Sequence, residues 1–278
     1  MSFKPKPYLK QLLYRLRMAE WLDGFNYRSQ SAINKTKNRL YLQQNPDTVL
    51  PDDYVLYETY QLNYRKFIED GKLASKEIYG WTKNHIPEIS PRILDWGCGA
   101  ARVTRHLPGL QPNALLYGCD TNEALTEWNK IHFSGITFST INHFTPTMYA
   151  DSFFDLVYGF SVFTHIDAAK QEEWVEELFR ILKQNGILLI TTHGSKYAEQ
   201  LLPNEKRELK REGIFTKRFA KQGHRMMTSY QLSTHFKKIL DPLFTIIEYY
   251  DGSDHPDKAG GQDVWILRKR TDEQMNIE

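Results

Sequence analysis

Ile93-Leu94-Asp95-Trp96-Gly97-Cys98-Gly99-Ala100-Ala101-Arg102 is the stretch that decides the fold of this 278-residue chain. It reads as a short apolar strand, residues 92–96, running into two glycines and then a helical stretch over residues 101–107. Glycines at a strand-to-helix turn let backbone N–H groups approach a ligand, and a helix N-terminus there adds positive potential. About 25 residues on, a second strand over residues 114–119 ends at Asp120. A carboxylate at the end of the second strand can accept both hydroxyls of a ribose, so the pair of features points to a nucleoside cofactor.

The same rhythm continues outward. Strands are expected over residues 135–139, 154–160, 186–192, 244–249 and 263–269, and helices over 122–133, 168–183 and 229–240, the last capped by Ser229. Buried strands alternating with helices specify an α/β fold. Seven strands result, forming a Rossmann-like, mostly parallel sheet with helices on both faces. The last two are joined by the polar loop 251–261, with no crossover helix, so they must pair antiparallel. On the N-terminal side, residues 54–86 look helical, with Tyr57, Tyr60, Tyr64 and Phe67 at spacings of three and four and an interruption at Gly71. The expected organisation is a helical extension over 1–50, a main domain over 51–270 with an insertion or lid at 203–230, and a short tail over 271–278.

A dinucleotide fingerprint requires a third glycine where this chain has Arg102, a bulky side chain at a close packing point. Asp95, just before the glycines, would repel a pyrophosphate and welcome a cationic cofactor. Electrostatics therefore favour S-adenosylmethionine over a nicotinamide cofactor. With the Asp95-x-Gly97-x-Gly99 loop, Asp120 and the closing hairpin, the chain resembles class I S-adenosylmethionine-dependent methyltransferases. The 153–165 run resembles their fourth-strand motif, and Gln262-Asp263-Val264-Trp265-Ile266-Leu267 the last strand of a bacterial small-molecule subgroup. The resemblance implies that Asp95, Gly97 and Gly99, with Cys98 between them, line the methionine moiety. Asp120 would hold the ribose, with Thr121 or Asn122 beside the adenine, and Asn142 would lie near the adenine amine. Phe160 and Ser161 would form the floor beneath the sulfonium. Ala101 stands where the family usually has a third glycine, and Asn142 where an aspartate is commoner.

Several acceptors are argued down. The fourth strand runs into Tyr158-Gly159-Phe160-Ser161, not the Asn/Asp-Pro-Pro-aromatic run of enzymes that methylate nucleobase amines. Cys98 and Cys119 are placed as packing residues rather than nucleophiles. His165, just past the fourth strand, is the first candidate base because a histidine titrates near neutrality. The competing reading is that it orients a loop. His193 is a weaker candidate, and His224, Arg225 and Tyr230 are candidates for a lid. The expected activity is methyl transfer to a small molecule or glycan, at oxygen. The alternatives are a non-catalytic binding protein on the same fold and an RNA methyltransferase.

Composition excludes disorder: 41% of residues are hydrophobic and 25% charged. Two cysteines cannot form a disulfide scaffold, and no Cys/His spacing reads as a zinc cluster, so no metal is expected. No apolar run is long enough to span a bilayer and no secretory h-region opens the chain, which gives a cytoplasmic expectation. The net charge of +2 hides a strong division. Residues 1–45 carry +7, residues 203–225 carry +5, and the remainder −10. The basic 203–225 segment suggests an anionic acceptor, against the plainer reading of a solvated helix with Glu205, Glu208 and Glu212 interleaved. The acidic body argues against a nucleic-acid surface. In 1–45, Leu9, Leu12, Leu13 and Leu16 lie at helical spacing, suggesting a helix docked on the protein itself or resting on an anionic membrane.

Overall fold

The computed structural model describes residues 19–218 and 227–275. The Leu9–Leu16 stripe, Lys221, His224 and Arg225 lie outside the described residues. The chain opens with α1 (Ala19–Gln44), followed by α2 (Asp53–Thr59) and α3 (Tyr64–Thr82). α1 docks on the start of α3 through amides: Asn63 Nδ2 donates to Asn34 Oδ1 (3.1 Å) and the Tyr64 N–H to Asn38 Oδ1 (3.1 Å). Asn63 also caps α3, accepting from the Lys66 N–H at 2.9 Å.

The helical break therefore falls at residues 60–63 and not at Gly71. Gly71 sits inside α3, where a Cβ would lie 2.2 Å from the Arg102 carbonyl oxygen. A glycine there marks close helix-to-loop packing, a reason that periodicity alone does not reveal.

The main sheet follows the expected rhythm: β1 (Arg92–Trp96), β2 (Leu115–Asp120), α4 (Glu123–His132), β3 (Ile136–Thr140), β4 (Phe154–Gly159), α5 (Ala168–Ile181) and β5 (Leu182–Thr192). After α6 (Ser195–Ala198) and α7 (Pro203–Glu212), β6 (Ile214–Arg218) pairs antiparallel with β7 (Met227–Gln231) in a separate two-stranded sheet. Then come α8 (Ser233–Leu240), β8 (Phe244–Tyr250), β9 (Asp263–Lys269) and α9 (Asp272–Met275). The strand order is β3-β2-β1-β4-β5-β9-β8, with β9 antiparallel to both neighbours and the other pairs parallel.

The pleat sorts side chains to two faces. Leu94 and Trp96, Leu188 and Ile190, and Trp265 and Leu267 pack against Trp174 and Leu178 of α5 and Phe236 of α8. Their alternates Ile93, Ile187, Leu189, Val264 and Ile266 pack against Ala74 and Ile78 of α3. Helices thus cover both faces, and α3, from the segment ahead of β1, supplies one of them.

Two local expectations change. The helix over 101–107 contracts to a 3-10 turn, Thr104–Gly109, because Ala101 takes φ = +51° and Pro108 lacks an N–H. Ser229 is not a helix cap: it lies in β7, where its hydroxyl donates to the Ile166 carbonyl (2.6 Å), and α8 begins at Ser233. A β-strand can place a serine on its buried side as readily as a helix start can use one.

Candidate active site

The loop after β1 is built to hold a tight, open turn. Gly97 (φ = +78°) and Gly99 (φ = +51°) occupy the left-handed region, and a Cβ on Gly97 would lie 2.5 Å from Val162 Cγ2. The N–H groups of Gly97 and Cys98 both donate to the Cys119 carbonyl, at 2.8 and 2.9 Å. Asp120, at the end of β2, accepts from the Gly99 N–H (2.8 Å) and the Asn122 N–H (2.9 Å). Burial pushes the Asp120 carboxyl up, while the backbone N–H groups of Asn122 and Gly99 pull it down.

Across the sheet, Ser161 (φ = +65°) follows β4 and is locked by a ring of bonds. Its N–H donates to Thr191 Oγ1 (2.8 Å), Thr191 donates to Gln262 Oε1 (2.7 Å), and Gln262 Nε2 donates to Ser161 Oγ (2.5 Å). This ring ties the ends of β4 and β5 to the start of β9.

Two cavities open on either side of the glycine loop and share Thr59, Gly97, Gly99, Phe160 and Ser161. The first, about 550 Å³, is lined also by Glu58, Asp120, Thr121, Asn122, Ile141, His143 and His165. The second, about 470 Å³, is lined also by Tyr60, Asp95, Cys98, Arg102, Tyr197 and Gln262. They are two lobes of one cleft, roofed by α2 and α3. The structure thus gathers Asp95, Gly97, Cys98, Gly99, Asp120, Thr121, Phe160 and Ser161 around it.

Asn142 is exposed and is not among the lining residues; Ile141 and His143 line the first lobe instead. The Ile141 N–H donates to the Asp120 carbonyl (3.0 Å), which prolongs the extended run past β3, so alternate residues face the cleft and residue 142 points away.

Asp95 is buried beneath the loop. It accepts from the hydroxyls of Thr104 and Tyr158. Burial pushes its carboxyl up to about 6, with Thr104, Tyr158 and the Arg102 cation opposing. The folded value exceeds the usual 3.8, so the contribution of Asp95 to folding stability declines as pH rises from 3.8 to about 6. Binding of a cationic amine beside it runs the other way. Affinity for S-adenosylmethionine is expected to increase as pH climbs through about 6, and Asp95→Asn to abolish that rise. Calorimetric titration between pH 5 and 8 checks this; a flat wild-type profile would exclude Asp95 as the amine partner.

His165 ends a 3-10 turn, Phe163–His165, and its Nδ1 lies 2.8 Å from the Met227 carbonyl of β7. It lines the first lobe, whereas Asp95 lines the second. His193 follows β5 and stacks on Tyr197 with ring centroids 4.1 Å apart, and burial pushes it down to about 3, so it stays neutral. Tyr230 is buried in β7 and accepts from Gln200 Nε2 (3.3 Å). Burial raises the thiols of Cys98 and Cys119, which makes both poor nucleophiles.

Three cations of the basic segment engage the fold itself. Lys217 pairs with Glu205 (2.8 Å), Arg218 with Asp167 (Nη2 to Oδ1, 2.9 Å) and Arg211 with Glu212 (2.6 Å). None of the described cations of 203–218 lines either lobe. Among the described residues, no group of three or more His, Cys, Asp or Glu could hold a metal ion, and no helix is long and apolar enough to cross a membrane.

Sequence reasoning missed Glu58, Thr59, Tyr60 and Arg102 as lining residues. Arg102 carried a signal, a cation four residues after the Gly97–Cys98 turn; the others come from a segment with no motif. Arg102 also supplies the positive charge expected from a helix N-terminus, since the element after the loop is only a 3-10 turn.

A family model described as a methyltransferase domain matches residues 94–190. No curated protein matches the chain. Among solved structures, it is similar to a SAM-dependent methyltransferase from Methanosarcina mazei (TM-score 0.53, 20% identity, covering 68% of this chain and 97% of that one). It is also similar to human N-acetylserotonin methyltransferase in complex with SAM (TM-score 0.52, 14% identity, 90% and 70% covered). A third is the Burkholderia thailandensis 1,6-didemethyltoxoflavin-N1-methyltransferase with bound 1,6-didemethyltoxoflavin and S-adenosylhomocysteine (TM-score 0.50, 13% identity, 81% and 93% covered). At these identities the likeness is one of fold, and it agrees with the strand order and the antiparallel β9. The family match assigns a methyltransferase domain to residues 94–190, and the fold around it is like that of S-adenosylmethionine-dependent methyltransferases.

Proposed function

We propose that this protein transfers a methyl group from S-adenosylmethionine to a small-molecule acceptor at oxygen. The observation that carries the reading is the two-lobed cleft, with a carboxylate on each side of one glycine loop: half-buried Asp120 in the first lobe and buried Asp95 in the second. The residues fit the cofactor. Asp120 has lone pairs left for ribose hydroxyls after its two backbone bonds, and Asp95 can take an ammonium group. When bound, the cofactor supplies an electrophilic methyl on a sulfonium. The protein must then align the acceptor and receive its proton.

None of the described cations of 203–218 lines either lobe, which supports a neutral hydroxyl acceptor better than an anionic glycan. His165 would take the acceptor's proton. With Nδ1 donating to the Met227 carbonyl, the neutral ring carries its basic lone pair on Nε2. His165→Ala is expected to lower kcat by about 10²–10⁴-fold and to remove a limb of the pH–rate profile. Retained turnover would leave His165 only the task of tying β7 to the 163–165 turn, which its bond to Met227 equally supports.

The founding test is calorimetry with S-adenosylmethionine and NADH, followed by a screen of metabolite pools with labelled cofactor. Binding of S-adenosylmethionine and labelling of one neutral metabolite is the expected result. Binding of NADH alone would overturn the reading. Cofactor binding with no labelled product would favour a non-catalytic role.

A further inference from the structure

We propose that Arg105 and Asn129 are positioning residues that preset the cofactor loop as a receptor for a carboxylate. Three consecutive loop carbonyls are gripped by side chains. Asn129 Nδ2 donates to the Gly99 oxygen (2.8 Å), Arg105 Nη2 to the Ala100 oxygen (2.7 Å) and Arg105 Nε to the Ala101 oxygen (3.0 Å). In a trans peptide the N–H points opposite to the carbonyl of the same plane. With these carbonyls drawn onto Asn129 and Arg105, the N–H groups of Ala100 and Arg102 turn the other way, towards the second lobe, which Ala100 and Arg102 line. The intervening Ala101 N–H closes on the Cys98 carbonyl (2.9 Å). Successive amides in such a turn form an anion-binding concavity.

The Arg102 guanidinium completes it. It lies over the Tyr60 ring at 4.2 Å, lines the same lobe, and forms no ion pair among the described residues. Two amides and a guanidinium suit a carboxylate. The inference rests on the proposed cofactor, whose amino-acid end carries that group.

Arg105 is specialised for this. Its guanidinium is packed between Phe133 (4.7 Å) and Phe67 (5.2 Å), with no carboxylate within 4 Å among the described residues. It is solvated by carbonyl dipoles, the third being Val49 (Nη1, 2.6 Å), so the same side chain fastens the segment ahead of α2 to the loop. A lysine ammonium cannot span three carbonyls that a planar fork can. The same grip holds Ala101 at φ = +51°, where a residue with a Cβ is otherwise disfavoured.

The test compares two ligands that share the nucleoside. S-adenosylhomocysteine carries the carboxylate; 5′-methylthioadenosine lacks the amino-acid end. Arg105→Lys and Asn129→Asp are each expected to weaken S-adenosylhomocysteine binding about tenfold or more while leaving 5′-methylthioadenosine binding unchanged. In Arg105→Ala, added methylguanidinium should recover part of the lost affinity. A parallel loss for both ligands would reduce these residues to general structural support and overturn the proposal, as would no loss for either. If the wild-type protein binds neither ligand, the cofactor reading itself falls and this inference with it, an outcome visible before any variant is made.

Discussion

Asp120→Ala is expected to weaken S-adenosylmethionine binding by about 1.5–3 kcal/mol, the scale of lost hydrogen bonds to a charged group, or roughly 10- to 150-fold in Kd. The carboxylate has two tasks. It would accept ribose hydroxyls, and it already holds the loop by accepting from the N–H groups of Gly99 (2.8 Å) and Asn122 (2.9 Å). Removing it takes the acceptor from the Gly99 and Asn122 N–H groups and frees the turn that both lobes share. Asp120→Asn keeps one acceptor and should fall between Ala and wild type. Calorimetry at neutral pH gives the order directly, and an unchanged affinity in Asp120→Ala would take the residue out of the site.

Gly71→Ala is expected to destabilise the fold by about 1–3 kcal/mol, the usual cost of overpacking a close contact. The sign is what makes this informative. A glycine-to-alanine change inside a helix ordinarily stabilises, by about 0.5–1 kcal/mol, because glycine has more backbone freedom to lose. At Gly71 the new Cβ would lie 2.2 Å from the Arg102 carbonyl, a backbone atom with no flexible end to yield. At Gly80, in the same helix, a Cβ would meet nothing within 4 Å, so Gly80→Ala should stabilise. Denaturant midpoints of the two variants should move in opposite directions. Because Arg102 lies in the cofactor loop, Gly71→Ala should also weaken cofactor binding, whereas Gly80→Ala should not. Movement of both midpoints in the stabilising direction would mean that α3 does not press on the loop.

Much of the cleft lining was legible in the chain itself. Asp95, Gly97, Gly99 and Asp120 could be named ahead of the fold because their chemistry is local: a strand end, a turn that needs glycine, a carboxylate at the next strand end. Phe160 and Ser161 came with the fourth-strand motif. Asn142 went astray because the residue facing the cleft depends on how far the extended run continues past β3, and that is set by a bond from Ile141 to Asp120 on another strand. For the basic stretch, the sequence left a solvated helix and an acceptor-binding segment side by side. Charge counted along a segment does not say where the cations point, and Lys217 and Arg218 turn to Glu205 and Asp167.

The sequence by itself determined the α/β rhythm, the seven strands, the antiparallel closing hairpin and the glycine loop with its two carboxylates. Each of these follows from periodicity or backbone requirements within a few neighbouring residues. Only the tertiary structure decided that Thr59 and Tyr60 roof the cleft, that Gly71 is a contact point rather than a break, that Ser229 belongs to a strand, and that Arg105 spans Val49, Ala100 and Ala101. These are contacts between segments far apart in the chain. Their partners are chosen by packing and by the need to satisfy buried polar groups, and neither leaves a periodic trace in the residues taken one stretch at a time.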